Sequence, residues 1–118
     1  MRKDVDGAEA AFREAVRLQP TNSDAWTNLG YLLQHERKDV AGAEQCYKSA
    51  IHFNPDNGVA HYNLGFLHEK EQLDLAAAEL EYKQALRCNL DDVDAQCRLA
   101  KVVAATAAAA AKDGDNQL

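Results

Sequence analysis

The residues best suited to chemistry in this chain are four histidines, His35, His52, His61 and His68, and three cysteines, Cys46, Cys88 and Cys97. Imidazoles and thiolates serve as metal ligands, and imidazole moves protons near neutral pH. The spacing argues against both uses. His61 and His68 stand seven residues apart, two helical turns, too far to share an ion. No HExxH or CxxC occurs, and no Cys–His pair has ligand spacing. No glycine-rich phosphate loop follows a strand, and no serine sits in a nucleophile elbow. The acid pair Asp91-Asp92 reads as the start of a helix. We therefore expect no enzyme, no metal and no cofactor. The odd cysteine count leaves one thiol unpaired under any disulfide scheme, so all three read as reduced thiols of a cytoplasmic protein. Cys88 aligns with Leu18 and Phe53 and reads as a small buried apolar residue.

That alignment comes from a motif thirty-five residues long, written three times without a slip in register. Asp4, Asp39 and Asp74 align, as do Phe12, Tyr47 and Tyr82, and Leu29, Leu64 and Leu99. Residues 1–35 and 36–70 share 15 identities in 35 positions, and 36–70 and 71–105 share 12. Average residue usage gives roughly two or three by chance. A fixed period of this size marks stacked supersecondary units. Such arrays present surfaces to partners and rarely do chemistry themselves.

Composition agrees with that class. The chain of 118 residues is one domain, 47% apolar and 27% charged, as for a soluble globular protein. Its net charge of −6 disfavours nucleic acid, where affinity comes mainly from phosphate neutralisation by Lys and Arg. No run of 18 apolar residues exists to span a membrane, and no apolar signal-peptide core follows Met1.

Each repeat holds two stretches of helical spacing. In one, roughly 24–35, Ala25, Leu29, Leu32 and Leu33 form a stripe, and Asn22 or Ser23 caps the start. In the next, roughly 40–53, the stripe is Ala43, Tyr47, Ala50 and Ile51, with Asp39 at the start and Asn54-Pro55 at the end. Gly30 and Gly65 are expected to face Ala43 and Ala78, small against small. Tyr47 and Tyr82 would then fill the wedge between successive hairpins. His61, in the place of Trp26, and His68, in that of Leu33, read as packing residues.

Trp26-x-x-Leu29-Gly30-x-x-Leu33, Ala43-x-x-x-Tyr47 and Pro55 resemble the tetratricopeptide repeat signature. The next copy reads Leu64-Gly65 and Ala78-x-x-x-Tyr82, and the half-copy at the start reads Ala8-x-x-x-Phe12 and Pro20. The period departs from the family's usual 34 by one residue, placed in the turn near 36–38. The resemblance implies an all-α fold, a right-handed superhelical array of antiparallel helix pairs. By the family's phase, one domain over 1–112 divides into a lone second-type helix 4–19, repeats 22–55 and 57–90, and a final helix 92–111. Residues 113–118 would be a disordered tail.

The resemblance also implies that the first helix of each pair lines a concave groove that binds an extended peptide or a partner helix. The implied binding residues are Thr27, Asn28 and Tyr31, then Tyr62, Asn63 and Phe66, then Arg98 and Lys101. Asn28 and Asn63, one period apart, are similar to the asparagine ladder of peptide-binding members, since an amide offers both donor and acceptor to a peptide backbone. Chaperone-adaptor members grip a C-terminal carboxylate with a clamp that Asn63 and Arg98 match. The clamp's lysines would fall at Thr27 and Asp94, so that reading is the weaker one. A recruiting segment of a larger enzyme is the alternative from another class. Finally, the phase leaves a second-type helix uncovered at one end and a first-type helix at the other. That favours head-to-tail or swapped self-association, unless alanines 107–111 fold back as a cap.

Overall fold

The computed structural model describes residues 4–116, with side chains through residue 111. Six helices follow one another: α1 (Val5–Leu18), α2 (Ser23–His35), α3 (Val40–Phe53), α4 (Gly58–Lys70), α5 (Leu75–Cys88) and α6 (Val93–Asn116). Their starts are set by side chains that satisfy the free amides of a first turn. Asp4, Asp39 and Asp74 accept from the amides of Gly7, Gly42 and Ala77, while Asn22 and Asn57 accept from Ala25 and Ala60. Asp92 does the same for Ala95 at 3.1 Å.

Helices α2 and α3 form one antiparallel pair, α4 and α5 the next, and α1 and α6 extend the stack at its two ends. The result is an all-α helical-repeat solenoid, 58 × 29 × 25 Å in extent. Its core falls into two clusters. Leu29, Leu32, Leu33, Ala43, Tyr47, Leu64 and Leu67 form one part, and Ala78, Tyr82 and Val102 the other. Neither helix of a pair buries its stripe alone, so stability resides in neighbour contacts.

The nearest groups to Gly30 and Gly65 are the tyrosine rings. A methyl group at Gly30 would lie 2.8 Å from the Tyr47 ring, and one at Gly65 would lie 2.8 Å from Tyr82. The glycines make room for the rings inside each pair, so Tyr47 and Tyr82 are intra-pair spacers. The last helix exceeds its expected end. Backbone 113–116, assigned to a disordered tail, is helical, because alanine is the best helix former and the run from Ala107 propagates the helix. The rest of that tail, 117–118, lies outside the described residues. Ala107–Ala111 stay exposed within the helix and do not fold back as a cap.

Period 35 has a visible cause. The turn inside each complete pair places a non-glycine residue in the left-handed region, Lys38 at φ 58° and Leu73 at φ 54°. This lets the Asp39 amide reach the Leu33 carbonyl at 2.8 Å, and the Asp74 amide that of His68 at 2.8 Å. An L side chain there costs about 1 kcal/mol relative to glycine. Lys38→Gly and Leu73→Gly should each raise stability by about that amount, a shift of roughly 4 °C in thermal melts. Leu73 is 77% exposed, so glycine there removes no core contact.

Candidate functional site

The concave face is built from α2, α4 and α6. Tyr31, His35, Tyr62, Asn63 and Phe66 line one pocket there. Their rings run as a row, with Tyr31 and His35 centroids 4.2 Å apart and His35 and Phe66 6.1 Å apart. Arg98 of α6 closes the row, its guanidinium 4.6 Å from the Phe66 centroid. This is cation–π distance. Its Nε donates to the Tyr62 hydroxyl at 3.1 Å, and Nη1 stands 3.7 Å from Glu69. Burial disfavours the Arg98 charge, yet the Tyr62 hydrogen bond and Glu69 outweigh it and hold the pKa above the usual value. Arg98 is thus a cation braced on three sides, by Tyr62, Phe66 and Glu69.

Lys101 is exposed on α6, three residues beyond Arg98. Asn28 is exposed too, and opens onto a neighbouring cavity between α1 and α2 that it shares with Tyr31. The two asparagines therefore hold equivalent helical positions but open onto adjacent pockets.

Thr27 does not belong to the groove. It is 5% exposed, its hydroxyl donates to the Ser23 carbonyl at 3.0 Å, and it accepts from Asn57 Nδ2 at 3.1 Å. Asn57 also donates to Ser23 Oγ at 2.7 Å, which in turn donates to the Ala50 carbonyl at 2.8 Å. This buried network ties α2, α3 and α4 together. It draws on residues thirty apart, which the stripe of a single helix does not reveal. Gln34 and Glu69 turn inward as well and accept from the hydroxyls of Tyr47 and Tyr82 at 2.9 and 2.7 Å.

The histidines resolve into different roles. His61 is buried, with Nδ1 2.7 Å from Glu81 and Nε2 2.8 Å from the Pro55 carbonyl. The Glu81 hydrogen bond raises the His61 pKa above its ordinary value, against the burial that lowers it, and the Pro55 carbonyl adds to the rise, so the site favours the protonated ring. The Nε2 bond is a repeat feature: Trp26 Nε1 donates to the Pro20 carbonyl at 2.7 Å, and Gln96 Nε2 to that of Leu90 at 2.6 Å. His68 is buried against Gln72, 2.7 Å away. No group of three metal-ligating side chains occurs among the described residues. Cys46 is buried, which pushes its thiol up to about 11. A thiol held protonated in this way is a poor nucleophile. No helix among the described residues is long and apolar enough to cross a membrane.

A tetratricopeptide repeat family model matches residues 11–45 of the chain. Among solved structures, it is similar to the first TPR of Spaghetti (RPAP3) bound to the HSP90 peptide SRMEEVD, at 23% identity and TM-score 0.79. The match covers 87% of this chain and 80% of that one. The first TPR domain of human RPAP3 matches at 23% identity and TM-score 0.79, covering 88% and 80%. The Arabidopsis OM64 TPR domain matches at 19% identity and TM-score 0.77, covering 83% and 79%. At these identities the likeness is one of fold. No curated protein matches the sequence.

Proposed function

The chain belongs to the tetratricopeptide-repeat family, and from that premise we propose that it is a non-catalytic scaffold whose concave groove holds an extended peptide. The observation that carries the reading is the braced Arg98 beside the half-buried amide of Asn63. The amide can meet both the donor and the acceptor of a peptide unit. With Nε on Tyr62 and Nη1 towards Glu69, the outer Nη2 of Arg98 suits a ligand carboxylate. Lys101 adds a second positive charge beyond it. The faces of Tyr31 and Phe66 suit an apolar side chain between the polar contacts. The favoured ligand is therefore an extended peptide carrying acidic residues and at least one apolar side chain.

The neighbouring structure bound to SRMEEVD supports that class, since three of those seven residues are acidic. A two-carboxylate clamp is less well supported, because buried Thr27 and acidic Asp94 stand where its lysines would be. Three cysteines without a disulfide fit a reducing, cytoplasmic setting.

Peptides selected from a random library on the immobilised chain should be rich in Asp and Glu. Asn28→Ala combined with Asn63→Ala should weaken the selected peptides more than tenfold, about 1.4 kcal/mol by calorimetric titration. Thermal stability should stay within about 0.5 kcal/mol, since neither amide holds the core. Full affinity in the double variant would remove the groove from the reading.

A further inference from the structure

On the reading that the groove holds an extended peptide, we propose that it recognises a motif internal to that peptide's chain. An apolar side chain enters the pocket walled by Tyr31, Tyr62 and Phe66, and an acidic side chain two residues away meets Arg98. The pocket has room for one such apolar group. Tyr31, His35, Tyr62, Asn63 and Phe66 line about 160 Å³, and an apolar cavity of about 150 Å³ admits a benzene ring. Four of those five residues carry rings, so the lining suits Leu, Met or Phe. A cationic side chain is disfavoured there, because the Arg98 guanidinium already lies against Phe66.

The spacing of the two points comes from a shared wall. Phe66 lines the pocket, and the Arg98 guanidinium lies 4.6 Å from its ring centroid. Tyr62 lines the pocket too, while its hydroxyl accepts from Arg98 Nε at 3.1 Å. The pocket and the cation are therefore about one side chain's thickness apart. In an extended peptide, neighbouring side chains point to opposite faces, and those two apart share a face at about 6.6 Å. Side chains four apart share it at about 13 Å, which overshoots. A separation of two residues lets one face of the peptide reach both points.

The carboxylate belongs to a side chain and not to a chain end. A C-terminal acidic residue brings two carboxylates, and the braced cation that meets them is Arg98. Thr27 is buried in hydrogen bonds of its own, and Asp94 is acidic, so neither supplies a second positive charge. Asp92 and Asp94, with Val59 and Tyr62, line a further recess of about 100 Å³, where a second carboxylate is repelled. Lys101 is exposed, and an exposed ion pair adds little. The motif can therefore lie within a longer peptide at no loss of affinity.

Peptides selected on the immobilised chain, once aligned on their apolar residue, should show Asp or Glu concentrated two positions away. In calorimetric titrations of one such peptide, replacing the apolar residue by Ala, or moving the acid by one position, should each weaken binding about tenfold. Amidating its C-terminus should change affinity by less than about twofold. Tyr31→Ala should weaken the selected peptide about tenfold and leave the binding of its Ala-substituted form unchanged. Arg98→Gln should discriminate in the same way between peptides with and without the acid. A merely structural loss would weaken both forms alike. Circular dichroism melts check folding, and Tyr31, 53% exposed, stands as the test if Arg98→Gln is not folded. Bound peptides with acids at no fixed distance from the apolar residue, or a tenfold loss on amidation, overturn the motif while leaving the groove as the peptide site. Failure to select any peptide that Asn28→Ala with Asn63→Ala weakens overturns both.

Discussion

Tyr47→Ala should destabilise the fold by about 3 to 5 kcal/mol, in the range for buried aromatics. The ring is completely buried, it fills the space that Gly30 leaves between α2 and α3, and its hydroxyl is paired with Gln34. The truncation empties that space and strands the Gln34 oxygen. Burial also pushes the Tyr47 hydroxyl far above its ordinary pKa, so the ring stays neutral across any working pH. Tyr47→Phe separates the two contributions. It keeps the ring and loses the donor, at about 1 to 3 kcal/mol, because Gln34 Nε2 already has no partner and Oε1 would then have none either. Urea titrations of both variants check the order. Near-wild-type midpoints for Tyr47→Ala would mean that α2 and α3 do not meet in this register.

The second result concerns pH. The hydrogen bond to Glu81 raises the pKa of His61 above its ordinary 6.5, burial and Arg87 oppose it, and the Pro55 carbonyl adds to it. A group whose folded pKa is raised stabilises fully below its unfolded value, and that contribution is lost as pH rises through the folded one. Melting temperature should therefore hold below about pH 6.5 and fall above it by His61's share. His61→Ala leaves Glu81 without its counter-charge and should cost about 3 kcal/mol at the acid end, less as pH rises. His61→Gln is the informative control, since Gln96 makes the same backbone hydrogen bond one repeat later. It should keep the Pro55 contact and flatten the pH dependence. An unchanged slope in His61→Gln would assign that slope to other groups.

What was legible in the sequence depended on how far apart the cooperating residues lie. Helix ends were readable because a cap acts within three residues, as Asp39 does on Gly42. The solenoid was readable because the period repeats the same apolar stripe. The contact of the Tyr47 ring with Gly30 was not legible, because which residues of two helices meet depends on how the helices pack, which neither stripe encodes. Thr27 looked like a groove residue because it precedes Asn28 on α2. Its burial is caused by Asn57, thirty residues later, reaching back from the start of α4. The pairing of His61 with Glu81 was equally hidden, because Glu81 comes from the opposite helix of the pair. Arg98 could be placed on the groove face by its register. Its brace of Tyr62, Phe66 and Glu69 appears only when α4 and α6 are set side by side.

The two joints of the array are fastened by different means. Between α2 and α4 the fastening is the Ser23–Asn57–Thr27 network, sealed in the interior. One repeat later those places hold Gly58, Asp92 and Tyr62, with neither hydroxyl of the earlier network. There Arg98 does the fastening, from the groove side, through the ring and hydroxyl that a ligand would also touch. On the proposed reading, thermodynamic linkage would follow from this arrangement. A peptide that held Arg98 in place would lower the freedom of α6 to detach, and a detached α6 would remove the peptide's cation. Docking of the last helix and occupancy of the groove would then be coupled, each favouring the other.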